Sequence, residues 1–145
     1  MKIRPYRKSD RADFLALVRG LAVYEKLKPP SAAAQRRLTA DIGRRIRVLI
    51  AEDKGVAIGY AIYLFTYSSF LARPTLYLED VFVVPEARGR GAGKAFFRAL
   101  RREASREGCG RMEWVVLRWN KPAIKFYDSL GAEPLDGWLT YRLTL

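Results

Sequence analysis

Val84-Pro85-Glu86-Ala87-Arg88-Gly89-Arg90-Gly91-Ala92-Gly93-Lys94 joins a long predicted strand, Thr75 to Val84, to a predicted helix that begins near Gly91. Gly89, Gly91 and Gly93 alternate across five positions. Each lets the backbone approach a ligand closely and adopt conformations closed to other residues. Their N–H groups fall at a helix N-terminus, where the helix dipole also favours an anion. Arg88, Arg90 and Lys94 add positive charge. The physical reading is a pyrophosphate cradle; the bland one is a flexible glycine turn. Neither the G-x-G-x-x-G dinucleotide fingerprint nor the G-x-x-x-x-G-K-[ST] loop is present.

Upstream, Ile3 to Tyr6 reads as a short strand, and Ser9 is placed to cap a helix starting at Asp10. Phe14, Leu17, Val18, Leu21 and Ala22 follow the i, i+3, i+4, i+7, i+8 spacing of an apolar helical face. A second helix is predicted from Ala32 to about Ile42, then a strand from Ile46 to Glu52. Asp53-Lys54-Gly55 is a hairpin turn, followed by a long strand from Val56 to Tyr67. Downstream of the glycines a helix runs to Glu107, Arg111 to Trp119 is a strand, and Lys121 to Leu130 is a helix. Trp138 to Leu143 alternates like a closing strand. The predicted order is β-α-α-β-β-β-α-β-α-β. It describes an α/β fold with a mixed, mostly antiparallel sheet flanked by helices. No repeat or linker divides it, so residues 1–145 are expected to form a single domain.

The 145 residues suffice to bury a sizeable core without a disulfide or metal. The single cysteine, Cys109, allows no internal disulfide and reads as a minor structural residue. There is no histidine, which excludes Ser-His-Asp and Cys-His mechanisms and most zinc sites. No signal peptide or membrane span is visible, so the expected compartment is the cytoplasm. The net charge is +12, with 27 Lys plus Arg against 15 Asp plus Glu. Such a surface attracts polyanions, either nucleic acid or a phosphorylated cofactor.

The run Arg88-Gly89-Arg90-Gly91-Ala92-Gly93, placed after Leu78-Glu79-Asp80, resembles the coenzyme A-binding motif of the GNAT superfamily of N-acetyltransferases. Further motifs occur in order: Leu21-Ala22-Val23-Tyr24-Glu25, Phe65-Thr66-Tyr67, Trp119-Asn120-Lys121-Pro122-Ala123, Phe126-Tyr127 and Leu130-Gly131-Ala132. Together they resemble the diamine branch, which includes the spermidine/spermine and thialysine acetyltransferases. The resemblance implies direct transfer of an acetyl group from acetyl-CoA to a primary amine of a small molecule. It implies no metal, and homodimers are typical of the branch.

Acetyl transfer to an amine requires a neutral amine, a stabilised oxyanion and a stabilised leaving thiolate. The resemblance assigns Tyr127 to the thiolate and places Glu79 near the amine. It gives Val81, Phe82 and Val83 to the pantetheine arm, and Arg88, Gly89, Arg90, Gly91, Ala92, Gly93 and Lys94 to the pyrophosphate. Asn120 is matched to a cofactor contact, and Tyr24 and Glu25 to the substrate end. Each has a plainer reading beside it. Tyr127 shares a helical face with Ile124 and Leu130, and Asn120 can cap its helix. Glu79 or Asp80 can pair with surface arginines, and Tyr24 and Glu25 can be a solvated helix end. Ser68, Ser69 and Phe70 follow Phe65-Thr66-Tyr67, where the polyamine enzymes carry an acid. The change at Ser69 leans away from spermidine and spermine, toward a shorter amine or a lysine-like side chain.

Other readings stay in view. A protein lysine or N-terminus could replace the small amine on the same fold. A degenerate member could sense acyl-CoA without catalysis, which retention of Glu79 and Tyr127 opposes. A basic nucleic-acid-binding module would interleave basic and aromatic residues on one surface. Here the arginines fall mostly on helices and near the glycines while the aromatics fall mostly in strands, which opposes nucleic acid as the partner.

Overall fold

The computed structural model describes residues 1–145, which divide into two compact units, Met1–Trp114 and Val115–Leu145. The first contains β1 (Lys2–Pro5), α1 (Arg11–Tyr24), α2 (Ala32–Asp41), β2 (Arg47–Asp53), β3 (Val56–Ser68), β4 (Arg73–Val83), α3 (Ala92–Arg106) and β5 (Arg111–Glu113). The five strands form one sheet in the order β1-β2-β3-β4-β5. The first four are antiparallel neighbours, and β5 joins β4 in parallel after the α3 crossover. This is the mixed α/β architecture read from the sequence.

Local chemistry sets the boundaries. Lys54 and Gly55 both have positive φ, 51° and 81°, so the β2–β3 hairpin closes through a two-residue loop whose twist matches its strands. Ser31 caps α2, its Oγ accepting from the Ala34 N–H at 3.1 Å. The expected cap at Ser9 is displaced by one residue. Asp10 precedes α1 instead, accepting from the Arg7 N–H at 2.7 Å and from the Arg4 guanidinium at 2.8 Å. Arg4 also reaches Glu52 at 2.7 Å, which ties β1, the entry to α1 and β2 together. A hydroxyl at Ser9 could not make that ionic link, and the paired Arg4 holds the Asp10 carboxyl below its ordinary range.

The core lies on both faces of β3. Tyr60 and Ile62 pack with Phe14, Leu17 and Val18 of α1 and with Phe82 of β4. Gly59 points the other way, toward Phe96 of α3. The register of β3 on β4 slips between Ile62 and Tyr63: Ile62 opposes Asp80, Tyr63 opposes Leu78, and Glu79 is left without a partner. This β-bulge moves Asp80 and Phe82 onto the α1 face, whereas Leu76 and Leu78 before it lie on the α3 face.

Two expected strands change. The one foreseen over Arg111 to Trp119 is shortened to Arg111–Glu113, which pair with Thr75, Leu76 and Tyr77. The bulge at Glu79 interrupts the regular ladder of β4 two residues later. The closing strand foreseen over Trp138 to Leu143 is absent. Alternation supplies two faces, but a strand also needs a hydrogen-bonded neighbour, and Val115–Leu145 contains no second strand. Within this unit, α4 (Lys121–Ser129) is ordered by Asn120, whose Oδ1 accepts from the Ala123 N–H at 3.3 Å.

Candidate active site

The glycine segment folds as read. Pro85–Ala87 forms one short turn, Gly89 and Gly91 adopt positive φ of 73° and 88°, and Gly91 precedes the first residue of α3. No side chain caps this helix, and the Ala95 N–H donates to the Gly91 carbonyl at 3.0 Å. The N–H groups of Ala92, Gly93 and Lys94 therefore stand at a dipole-positive terminus without an intrahelical acceptor. That donor set suits a phosphate or pyrophosphate group.

The two arginines of the segment have separate tasks. Arg88 donates from Nε to the Val83 carbonyl at 2.9 Å. Its guanidinium also lies over the Tyr24 ring at 4.8 Å and the Phe82 ring at 5.6 Å. Tyr24 is thus brought beside the cradle. Gly20, one turn earlier on α1, makes the approach workable, because an added Cβ would stand 3.0 Å from the Phe82 ring. Arg90 reaches away to Asp53 on the β2–β3 hairpin at 2.6 Å and holds that carboxyl below its ordinary value. β4 pairs with β5 only over Thr75–Tyr77, so the β5-side edge over Val81–Val83 has no neighbouring strand.

The acidic residues converge at the bulge. Glu79 is exposed there. Asp80 is held from inside the sheet, where the Tyr60 hydroxyl donates to Oδ2 at 3.1 Å. The Asp80 carboxyl is pushed up to about 6, chiefly by burial and also by the charges of Glu79 and Glu25, with the Tyr60 bond opposing the rise. Glu25, the residue after α1, is also shifted upward by burial. None of the three forms an ion pair. The structure thus joins Tyr24, Glu25, Glu79, Val81–Val83 and the glycine segment around one end of β4. The arginine partner considered for Asp80 is replaced by Tyr60. Tyr60 stands opposite Phe82, and Asp80 opposite Ile62, so the pair is a diagonal one that the linear sequence does not signal.

Ser69 is not brought to this cluster. It lies in the exposed β3–β4 turn, ten residues before Glu79 and at the far end of an extended strand. With about 3.3 Å per strand residue, the separation is on the order of 20 Å. In the second unit, Tyr127 lies on α4 with its ring 5.7 Å from that of Phe126, and Asn120 caps the same helix. No three His, Cys, Asp or Glu residues form a group that could hold a metal ion. No helix is long and apolar enough to cross a membrane.

The sequence matches the Acetyltransferase (GNAT) family over residues 16–132. It is 35% identical to mouse thialysine N-epsilon-acetyltransferase, an alignment covering 97% of this chain and 91% of that protein. It is 39% identical to Arabidopsis thaliana L-ornithine N5-acetyltransferase NATA1, over 61% of this chain and 39% of that protein. The fold is similar to that of AAC(6')-Iy in complex with the bisubstrate analog CoA-S-monomethyl-acetylneamine. The TM-score is 0.80 at 26% identity, covering 99% of this chain and 98% of that one.

Proposed function

The chain belongs to the acetyltransferase (GNAT) family and is an acetyl-transfer enzyme, and from that premise we propose that it acetylates a primary amine of a small molecule with acetyl-CoA as donor. The observation that carries the choice of acceptor is the group Glu25, Glu79 and Asp80. These are three acids free of ion pairs in a protein of net charge +12, where counter-charges are abundant. Such a group suits an ammonium ion. The relatives that act on thialysine and ornithine support a short, lysine-like amine.

The α3 N-terminus and the Val81–Val83 edge would hold acetyl-CoA, which supplies the reactive thioester. Glu79 assists removal of the amine proton, directly or through water, and Tyr127 serves the departing thiolate. Asn120 contributes to cofactor binding from the start of α4. The enzyme works by direct attack in a ternary complex and as a homodimer; sedimentation equilibrium at twice the monomer mass is the expected result. Replacing Tyr127 with Phe is expected to lower kcat on the order of 10²-fold with little change in acetyl-CoA affinity. Equal turnover in wild type and mutant would remove Tyr127 from this role. Glu79→Gln is expected to lower kcat/KM for the amine by a similar factor.

A further inference from the structure

Tyr60 sits at the centre of the α1-side core with no exposed surface. Its ring meets Phe14 edge-on at 5.3 Å and Phe82 at 6.4 Å. In those surroundings a phenylalanine would pack as well, and a buried hydroxyl costs free energy unless it is bonded. The partner of this hydroxyl is Asp80 Oδ2, at 3.1 Å. The bond crosses from β3 to β4 just past the Glu79 bulge, which places Asp80 on the α1 face and so within reach of Tyr60.

We propose that Tyr60 is a positioning residue for the acceptor amine: its hydroxyl fixes the Asp80 carboxylate, and keeps it ionised, as the anchor for the substrate ammonium. This rests on the amine-acetylating reading above and adds to it a residue buried in the core. Three groups act on Asp80: Tyr60 from β3, Glu79 beside it on β4, and Glu25 from the end of α1. Both acids favour protonation of Asp80, as does burial, and Tyr60 opposes them. Arg88 is turned to Tyr24, Phe82 and the Val83 carbonyl, and is absent from the influences on Asp80. The hydroxyl is therefore the group that preserves the charge an ammonium needs.

The test pairs Tyr60→Phe with Asp80→Asn. Carbon-13 NMR of the Asp80 carboxyl, read on the protein alone, is expected to show its titration moving to higher pH in Tyr60→Phe, by about one unit. The acidic limb of kcat/KM for the amine should move with it, giving a loss of roughly fivefold near pH 6 that approaches about tenfold below pH ~5, while kcat and the acetyl-CoA KM stay close to wild type. Asp80→Asn should remove that limb, and adding Tyr60→Phe to it should cost nothing further. An unchanged Asp80 titration in Tyr60→Phe would overturn the proposal, as would a further amine-specific loss in the double mutant. Absence of CoA release from wild type with every amine would instead overturn the functional reading beneath it, while the NMR titration still decides the coupling.

Discussion

Asp80 shows how one side chain can serve a site at a cost to the fold. Its folded pKa, about 6, lies above its ordinary value of 3.8, chiefly because it is buried. Between those values the folded protein keeps a proton that the unfolded chain has released, so stability falls as pH rises through this window. Two pH units correspond to a penalty of up to about 3 kcal/mol at neutral pH. Asp80→Asn is therefore expected to raise the midpoint of denaturant unfolding at about pH 7.5, with the gain shrinking as pH falls toward about 4. A gain that did not depend on pH would point to packing rather than charge. Glu79 and Asp80 were legible as a functional pair from their place between Leu78 and Val81, where two acids are costly unless used. What sequence could not supply was the partner of Asp80. The Tyr60–Asp80 bond depends on the register of β3 on β4, and a one-residue bulge decides which acid turns toward the core.

At the scale of elements, the tight junction is where β3 passes β4 beside the cradle. A Cβ added at Gly59 would stand 2.5 Å from the Phe82 carbonyl oxygen, 3.2 Å from Val83 and 3.3 Å from the Phe96 ring. The obstacle is backbone, so no side-chain rotation relieves it. Gly59→Ala is expected to cost on the order of 2–4 kcal/mol, seen as a Tm lower by roughly 5–15 °C, and to weaken acetyl-CoA binding by displacing Val83. A mutant as stable as wild type would show that the strands can separate freely. The elements legible in sequence were those whose evidence is local: the α1 face from Phe14 to Ala22, the Lys54-Gly55 turn, and the glycine entry to α3. Those that failed depend on a neighbour. β5 ends at Glu113 because its ladder partner becomes irregular, and Trp138 to Leu143 has a strand pattern without a strand beside it. Ser9 falls inside the Lys8–Asp10 turn that precedes α1, and Asp10 takes the N-cap position with its carboxylate bound to Arg4 and the Arg7 N–H rather than to the helix.

Over the whole molecule, the excess positive charge meets two anion-directed features: the uncapped start of α3 and the arginines along that helix, Arg98, Arg101, Arg102 and Arg106. A field of this sign draws in a polyphosphate and is screened by salt. The acetyl-CoA KM is expected to rise several-fold between about 0.05 M and 0.5 M salt, while the amine KM changes little or falls. Opposite trends would place the charge in the service of another partner, and salt-sensitive RNA binding without acetyl-CoA binding would favour the nucleic-acid reading. The family match runs from residue 16 to residue 132, and so includes the glycine cradle, the acidic cluster and α4 with Tyr127. We propose that the protein transfers acetyl groups to a small, lysine-like amine. The most direct measurement is CoA release from acetyl-CoA by the purified wild-type protein, followed with thialysine, lysine, ornithine, spermidine, an aminoglycoside and a lysine-containing peptide. Release with the short lysine-like amines at the highest kcat/KM is the expected result, with spermidine poorer. Release with the peptide alone, or acetyl-CoA binding with no release for any acceptor, would contradict it.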